Sequence, residues 1–536
     1  MTSLSAEGIS ARRVPVAIVG GGPVGLTMAL ELARHGRGCV LVEPRLDVDH
    51  SRPRAKTTSA RTMELFRRTG AADEIRRRAA IPASWSDEVR FCTTAAGHEI
   101  TRLRGVLGLE LLDSELTAEG AQQVTQSAVE EALRAMLDAE PLVTTLFGSR
   151  VTSVDLTRDG ARLQVEDLDD RQSVVEADYV IGADGSRSIV RAELGARYEG
   201  AAAGRPNVNI TFRSRELASM LPERPAIHHW VLNPTFPGVI GPLSLDGEWW
   251  AIATATEAIA DDDEAAAVVR GLVGAPIDVE VIATDPWQAR MLLADSYGFG
   301  RAFLVGDAAH QNPPWGGHGY NTGIGDAVNL AWKIAAVSEG WATPALLESY
   351  EAERRPIAQQ TIALAAGNLR ALSHDLTSPA MMAAGVDGES ARASAALAIE
   401  QVKRAEFYSL GLVLGYGYGP HAAAQTPSPD LYLPVAAPGN RLPHSRNAAG
   451  DSLFDLLGFE FTALGAEADV EPWMAVAGRR GIPLVHVDPG AHGFDSTTPG
   501  EVSLVRPDQH IAWMGKASAD PDEAFDAALL GFTSAP

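Results

Sequence analysis

Cysteine is nearly absent from this chain: 536 residues hold two, Cys39 and Cys92, and neither lies in a C-x-x-C pair. That usage argues against a disulfide framework and a zinc site, predicts no metal centre, and fits a reducing cytoplasm. Lysine is also scarce. Only Lys56, Lys333, Lys403 and Lys516 occur, the other basic residues being arginines, a usage that fits a GC-rich genome without pointing to chemistry. Positive charge is in deficit overall, 45 − 69 = −24, which argues against nucleic acid or an anionic membrane as partner. No apolar run reaches membrane-spanning length. The opening MTSLSAEGISARR is polar without an apolar centre, so no secretory leader is predicted.

With 46% hydrophobic and 21% charged residues the composition is that of an ordinary globular protein, and the length calls for two to four domains. The stretch from Val14 to Glu43 organises the rest. Val16 to Val19 is a short apolar run, as in a strand buried on both faces of a parallel sheet. Gly20, Gly22 and Gly25 follow in G-x-G-x-x-G spacing. A helix pattern (Leu26, Ala29, Leu30, Ala33) then runs to Gly36, and a second strand, 39–42, delivers Glu43, 18 positions after Gly25. This is the fingerprint of a dinucleotide site. Gly20 makes the turn, Gly22 admits a pyrophosphate to the backbone, Gly25 lets helix and strand pack, and the acid binds a ribose. A Gly-rich turn in some other α/β unit is the plain alternative.

Further on, 59–69 and 126–137 read as helices, 85–112 as an irregular, strand-like excursion, and 148–156, 161–166 and 173–176 as hairpin-like strands. A buried strand at 179–181 ends in Gly182-Ala183-Asp184-Gly185. Asp184 and Gly185 either face a crevice lined with hydroxyl and phosphate groups, or Asp184 caps a helix starting near Ser188. Residues 207–283 turn aromatic and alternating, which predicts an antiparallel sheet inserted over the crevice, with a surface helix at 261–270. The chain then returns with a strand ending in Gly306-Asp307, a loop Pro313-Pro314-Trp315-Gly316-Gly317-His318-Gly319, and a helix over 322–339. Its N-terminus, near Tyr320 and Asn321, would aim the positive end of its dipole at the crevice.

Together, and in this order, these three motifs resemble the FAD-dependent aromatic hydroxylases, the class A flavoprotein monooxygenases of the p-hydroxybenzoate hydroxylase superfamily. The likeness extends through Ser349–Pro356. Pro438–His444, Ser452–Leu456 and Leu504–Trp513 resemble the C-terminal thioredoxin-like domain of its phenol and polyketide hydroxylase subgroup. The implied fold is α/β. A Rossmann-like FAD-binding domain (14–200, with the excursion at 85–115, and 284–365) carries an inserted antiparallel sheet (201–283). A helical connection (366–433) leads to a thioredoxin-like domain (434–536), which lacks cysteine and so serves packing or oligomerisation. The resemblance implies that Gly20, Gly22, Pro23, Val24 and Gly25 hold the FAD pyrophosphate, and that Glu43 binds the adenosine ribose with Arg45 beside it. It further implies Arg54 along the diphosphate, Gln126 and Asp307 at the ribityl chain, Val151 at adenine, and Asp184 and Gly185 in a motif shared by FAD and the nicotinamide nucleotide. Pro314, Gly319, Tyr320 and Asn321 would frame the isoalloxazine through main-chain atoms. No second Gly-rich fingerprint exists, so NADPH or NADH would visit the flavin transiently.

The expected activity is insertion of one oxygen atom from O₂ into a phenolic or polycyclic aromatic substrate by way of a flavin hydroperoxide. Baeyer–Villiger oxygenation on the same fold, or a flavin-binding partner protein without catalysis, are the alternatives. A homodimer is possible. His228, Trp230, Trp250 and Trp315 are the candidate substrate contacts, although the tryptophans could equally fill a core. His228, His229 and His318 are the candidate bases, and the sequence singles out none of them.

Overall fold

The computed structural model describes residues 13–370, 376–419, 428–495 and 498–532. The polar opening segment, apart from Arg13, lies outside the described residues, as do parts of the helical connection.

The first sheet is built on the fingerprint. Its parallel strands lie in the order Ala302–Leu304, Gln172–Gly182, Arg13–Val19, Cys39–Glu43 and Val143–Phe147. The central strand Arg13–Val19 thus has neighbours that leave in opposite directions, and a crevice opens at their carboxyl ends. Helix Pro23–Arg34 covers one side and packs against the long helix Gly319–Glu339. Strand Gln172–Gly182 is continuous where the sequence pattern suggests two pieces. Its first half pairs antiparallel with Gly160–Glu166, and its second half runs parallel to Arg13–Val19, so its environment changes midway. A helix that the sequence reading did not anticipate, Ala71–Arg78, follows Gly70, which takes φ 81° and starts a new helix instead of only ending one.

A second sheet of eight strands lies over the crevice, in the order His310–Gln311, Glu280–Ala294, Tyr198–Arg213, Glu248–Thr254, Gly238–Pro242, His228–Val231, Val89–Cys92 and Glu99–Leu103. The excursion at 85–115 therefore supplies two of its strands. The insertion is wider than 201–283: its long strands begin at Tyr198 and end at Ala294, because both continue as one paired ribbon down to the first sheet. Strand alternation separates two faces. Phe91, Trp230, Trp250 and Ile252 point to a cluster that includes Trp315, whereas Val231, Trp249 and Ala251 pack with helix Asp262–Val273.

Helix Val386–Phe407, within the connection, closes the first of these clusters with Ile399 and Phe407. The C-terminal unit has a four-stranded sheet, Leu484–Val487, Phe461–Leu464, Glu501–Val505 and Ile511–Lys516 in that order, with helices Glu467–Arg480 and Pro521–Leu530. This order is compatible with a thioredoxin-like unit. Its core is shared with the first domain: Trp332, Ala336 and Leu346 pack among Phe461, Trp473 and Phe525.

Candidate active site

One cavity of about 910 Å³ runs from the fingerprint to the second sheet. At its nucleotide end Gly20, Gly22, Pro23, Val24, Glu43, Arg45, Gln126 and Val151 are in the wall. Gly20 has φ 106°, and a Cβ there would stand 2.4 Å from the Ala183 carbonyl oxygen. At Gly25, which lies behind the wall, a Cβ would stand 2.0 Å from the Gly20 oxygen. At Gly22 a Cβ would meet no atom within 4 Å, so this is the point where the backbone is open to the cavity. Helix Pro23–Arg34 starts there with neither a side-chain cap nor an acidic residue in its first turn. Its free N–H groups therefore suit an anion.

Glu43, 5% exposed, is held ready. Its Oε2 accepts from Gly21 N–H at 2.7 Å, and its Oε1 from the Arg45 backbone at 3.0 Å and Arg45 Nε at 2.6 Å. Arg45 continues to Glu130 at 3.0 Å, and Gln126 Nε2 donates to the same Glu130 at 2.9 Å.

Midway along the cavity lie Arg54, Asp184, Gly185 and Asp307. Asp184 lies in the cavity wall and also reaches the first amides of helix Ile189–Glu193. Its Oδ2 accepts from Ile189 N–H at 2.7 Å and Val190 N–H at 3.3 Å, while its buried Oδ1 has no partner among the described residues. Burial raises the pKa of this carboxyl, opposed by the Ser188 hydroxyl and the helix amides. Asp307 is likewise raised by burial, with His310 and Arg54 working against it. Arg191 ties the two acid-bearing loops together. It donates to Ala308 O at 3.0 Å and Ser186 O at 2.9 Å and stacks on Tyr198, whose hydroxyl donates to the Asp307 carbonyl.

At the far end the wall holds Pro314, Trp315, Gly319, Tyr320, His228, Trp230 and Trp250. Trp230 lies 5.4 Å from Trp315 and 5.8 Å from Phe91 between ring centroids. The sequence did not say which face of its strand was inward; His228 and Trp230 face the cavity. The buried indole nitrogens of Trp230, Trp250 and Trp315 have no hydrogen-bond acceptor among the described residues. Asn321 lies behind the wall, where its side chain takes Ser59 N–H at 3.0 Å and gives to Thr57 O at 3.1 Å and Gly317 O at 2.6 Å. It fixes the loop to the helix instead of lining the cavity.

The three candidate bases separate cleanly. His228 alone of them is in the wall. Burial, then the charge of Lys56, pushes it down to about 3. Burial takes His229 to about 3 and His318 to about 4. His229 sits on the opposite sheet face, with Arg90 and Arg102 adding to its shift. All three are neutral near pH 7. The sequence reading missed Lys56, Asp285, Trp287, Glu406 and Phe407, which are also in the wall. Lys56 carried a signal, following directly on Arg54-Ala55; Glu406 and Phe407 lie in a helix with no motif.

Residues 13–365 match the family model described as FAD binding domain, and 435–536 match aromatic-ring hydroxylase, C-terminal. This chain belongs to the FAD-dependent aromatic-ring hydroxylases. It is 32% identical to a putative polyketide hydroxylase of Streptomyces halstedii, with 96% of each chain covered. It is 30% identical to phenol 2-monooxygenase of Pseudomonas sp. strain EST1001, over 98% of this chain and 95% of that one. Among solved structures, the flavin-dependent monooxygenase PieE, in complex with FAD and substrate, superposes with TM-score 0.86 at 29% identity, covering 97% of this chain and 98% of PieE. The enzyme is thus an FAD-dependent aromatic monooxygenase. The residues present fit that cofactor: an open backbone at Gly22, uncapped amides, a buried and fixed Glu43 carboxylate and an orphaned Asp184 oxygen occur in one crevice.

Proposed function

We propose that the chain hydroxylates a phenolic, fused-ring aromatic compound held between the second sheet and the flavin, with NADPH or NADH as a transient reductant. The observation that carries this reading is the continuity of the cavity, from an anion-ready helix start to a wall of four tryptophans, Trp230, Trp250, Trp287 and Trp315. Gly20, Gly22, Pro23, Val24 and Gly25 hold the pyrophosphate, Glu43 and Arg45 the adenosine ribose, and Val151 the adenine. Arg54 lies along the diphosphate, Gln126 and Asp307 take the ribityl chain, and Asp184 with Gly185 belongs to the stretch shared by FAD and the visiting nicotinamide nucleotide. Pro314, Gly319 and Tyr320 frame the ring system, and Asn321 fixes that frame from behind. When bound, FAD supplies reduction by the nicotinamide and activation of O₂ for transfer of one oxygen atom. The protein's share is to exclude water, orient the ring, and set the positive end of helix Gly319–Glu339 toward developing negative charge.

The test is a screen of phenols and polycyclic aromatics for stimulated NAD(P)H oxidation, with mass spectrometry for the gain of one oxygen atom. A ketone that gained oxygen while every phenol failed would replace hydroxylation with Baeyer–Villiger chemistry. Asp307→Ala should weaken FAD retention by about 1.5–3 kcal/mol, the value of a hydrogen bond to a charged group. Titration of apoprotein with FAD measures it, and unchanged affinity would remove Asp307 from the ribityl site. Trp315, 4% exposed, packs against Trp230 and Trp287. Trp315→Ala should admit water and raise the ratio of hydrogen peroxide formed to NAD(P)H consumed. An unchanged ratio, with FAD still bound, would remove Trp315 from the oxygen-transfer pocket.

A further inference from the structure

Two of the four lysines are buried and a third, Lys56, is half-buried in the cavity wall, and the three differ in company. Lys333 donates to Glu353 at 2.7 Å and Ser349 at 2.8 Å, and Lys403 donates to Glu406 at 2.7 Å. Lys56 has neither a hydrogen-bond acceptor nor a carboxylate partner among the described residues. Its Nζ lies 4.3 Å from the centroid of the Trp250 ring, in the wall of the aromatic end of the cavity. An ammonium group over an indole face in a low-dielectric pocket keeps part of its attraction for an anion unsatisfied. The groups around it leave that demand standing. Arg52 and Arg54 come from its own loop, and His228 faces it from the second sheet. Asp285, on strand Glu280–Ala294, shares the lining without ion-pairing to it, and Glu406 is committed to Lys403.

We propose that Lys56 holds the phenolic oxygen of the substrate as a phenolate. This rests on the reading of the cavity as a phenol site. Where the amine is free, the substrate O–H bond breaks and its proton forms a new N–H bond on Lys56. Where the amine is already an ammonium, it captures the phenolate from solvent. Both routes end in the same ammonium–phenolate pair with the same number of protons. The phenolate returns electron density to its ring and makes the ring carbons better nucleophiles toward an electrophilic oxygen. Burial brings Lys56 down to about 8, so the amine can exchange a proton near physiological pH, whereas neutral His228, at about 3, is a poor acceptor there. The substrate class that follows is a phenol able to ionise; a ring without an acidic hydroxyl gains nothing from this group.

The experiment uses FAD-loaded enzyme and 4-nitrophenol, whose phenolate and neutral forms absorb differently. Difference spectra across pH give the apparent pKa of the bound probe. The parent should lower it at least about tenfold on the proton-affinity scale relative to free probe. Lys56→Met should abolish the shift and Lys56→Arg should retain it, with FAD content and thermal midpoint checked in each variant. With a turned-over phenol, the rising limb of kcat/KM against pH should move toward the phenol's own pKa in Lys56→Met. A parent enzyme that binds 4-nitrophenol in its neutral form, or a Met variant that keeps the shift, overturns the role of Lys56 while leaving the phenol site standing. Failure of the parent to bind 4-nitrophenol, together with failure of the phenol screen, overturns both.

Discussion

Glu353→Gln should lower the unfolding free energy by about 3–5 kcal/mol, the cost of breaking a buried ion pair by removing one partner. Glu353 is 1% exposed and lies on helix Ala345–Arg370. Its carboxylate accepts from Arg506 Nη1 and Nη2 at 2.8 Å each, Lys333 Nζ at 2.7 Å and Asn329 Nδ2 at 2.7 Å. Arg506 turns back to Asp508 at 2.6 Å, which also takes Asn329. The two cations and two carboxylates balance, and they join the C-terminal unit to the two helices behind the flavin crevice. Taking away one negative charge leaves one cation too many where water cannot reach. Lys333 is the weaker holder of its proton, since burial already lowers it to about 8 against the pull of Glu353. Adding Lys333→Met to Glu353→Gln restores neutrality and should recover part of the loss, a coupling of about 0.5–3 kcal/mol. Thermal unfolding of the single and double variants measures this. A single variant that melts with the parent would show that the network carries no net stability.

The same network sets an acid limit. Arg506, and then Lys333, hold Glu353 below the ordinary carboxylate range against the opposing effect of burial, and Asp508 is held down chiefly by Arg506. In the window between those depressed folded values and the unfolded value of about 4, the unfolded chain binds more protons, so stability rises with pH there. The contribution is complete above that window and is lost as pH falls through it.

The fingerprint was legible because it is local: Gly20, Gly22, Gly25 and Glu43 specify a turn, an approach, a packing contact and an acid within one βαβ unit. The aromatic content of the second sheet was legible too, but its inward face was not. Alternation says that His228 and Trp230 share a side, but both sides are covered, one by helix Asp262–Val273 and the other by helix Val386–Phe407 and the loop bearing Trp315, and only that packing decides which side faces the cavity. Glu406 and Phe407 reach the cavity through tertiary packing, so no spacing rule announces them. The role of Glu353 was hidden for the same reason. In sequence it is one charge in a helix rich in charges, and its partner Arg506 lies 153 positions away. The continuous strand Gln172–Gly182 read as two because Glu176 and Asp178 break its apolar run just where it passes from hairpin to parallel core.

The remaining prediction separates folding from cofactor binding at two glycines three residues apart. Gly25→Ala places a methyl group 2.0 Å from the Gly20 oxygen and 3.2 Å from Ala183 Cβ, where neither the helix nor the turn can give way without the other. Overpacking of this kind costs about 1–3 kcal/mol, and more where the backbone is the obstacle. Both the apoprotein's thermal midpoint and its FAD content should fall. Gly22→Ala meets no protein atom within 4 Å, and its φ of −73° suits any residue, so the apoprotein should melt with the parent, within about 0.5 kcal/mol. Its methyl group would nevertheless stand in the space a pyrophosphate must enter to reach the free N–H groups of helix Pro23–Arg34. FAD affinity should therefore drop by tenfold or more, about 1.4 kcal/mol. Differential scanning calorimetry of the apoproteins, with titration by FAD, gives both quantities. If Gly22→Ala bound FAD like the parent, the pyrophosphate would have to lie elsewhere along the crevice, whatever the glycine spacing suggests.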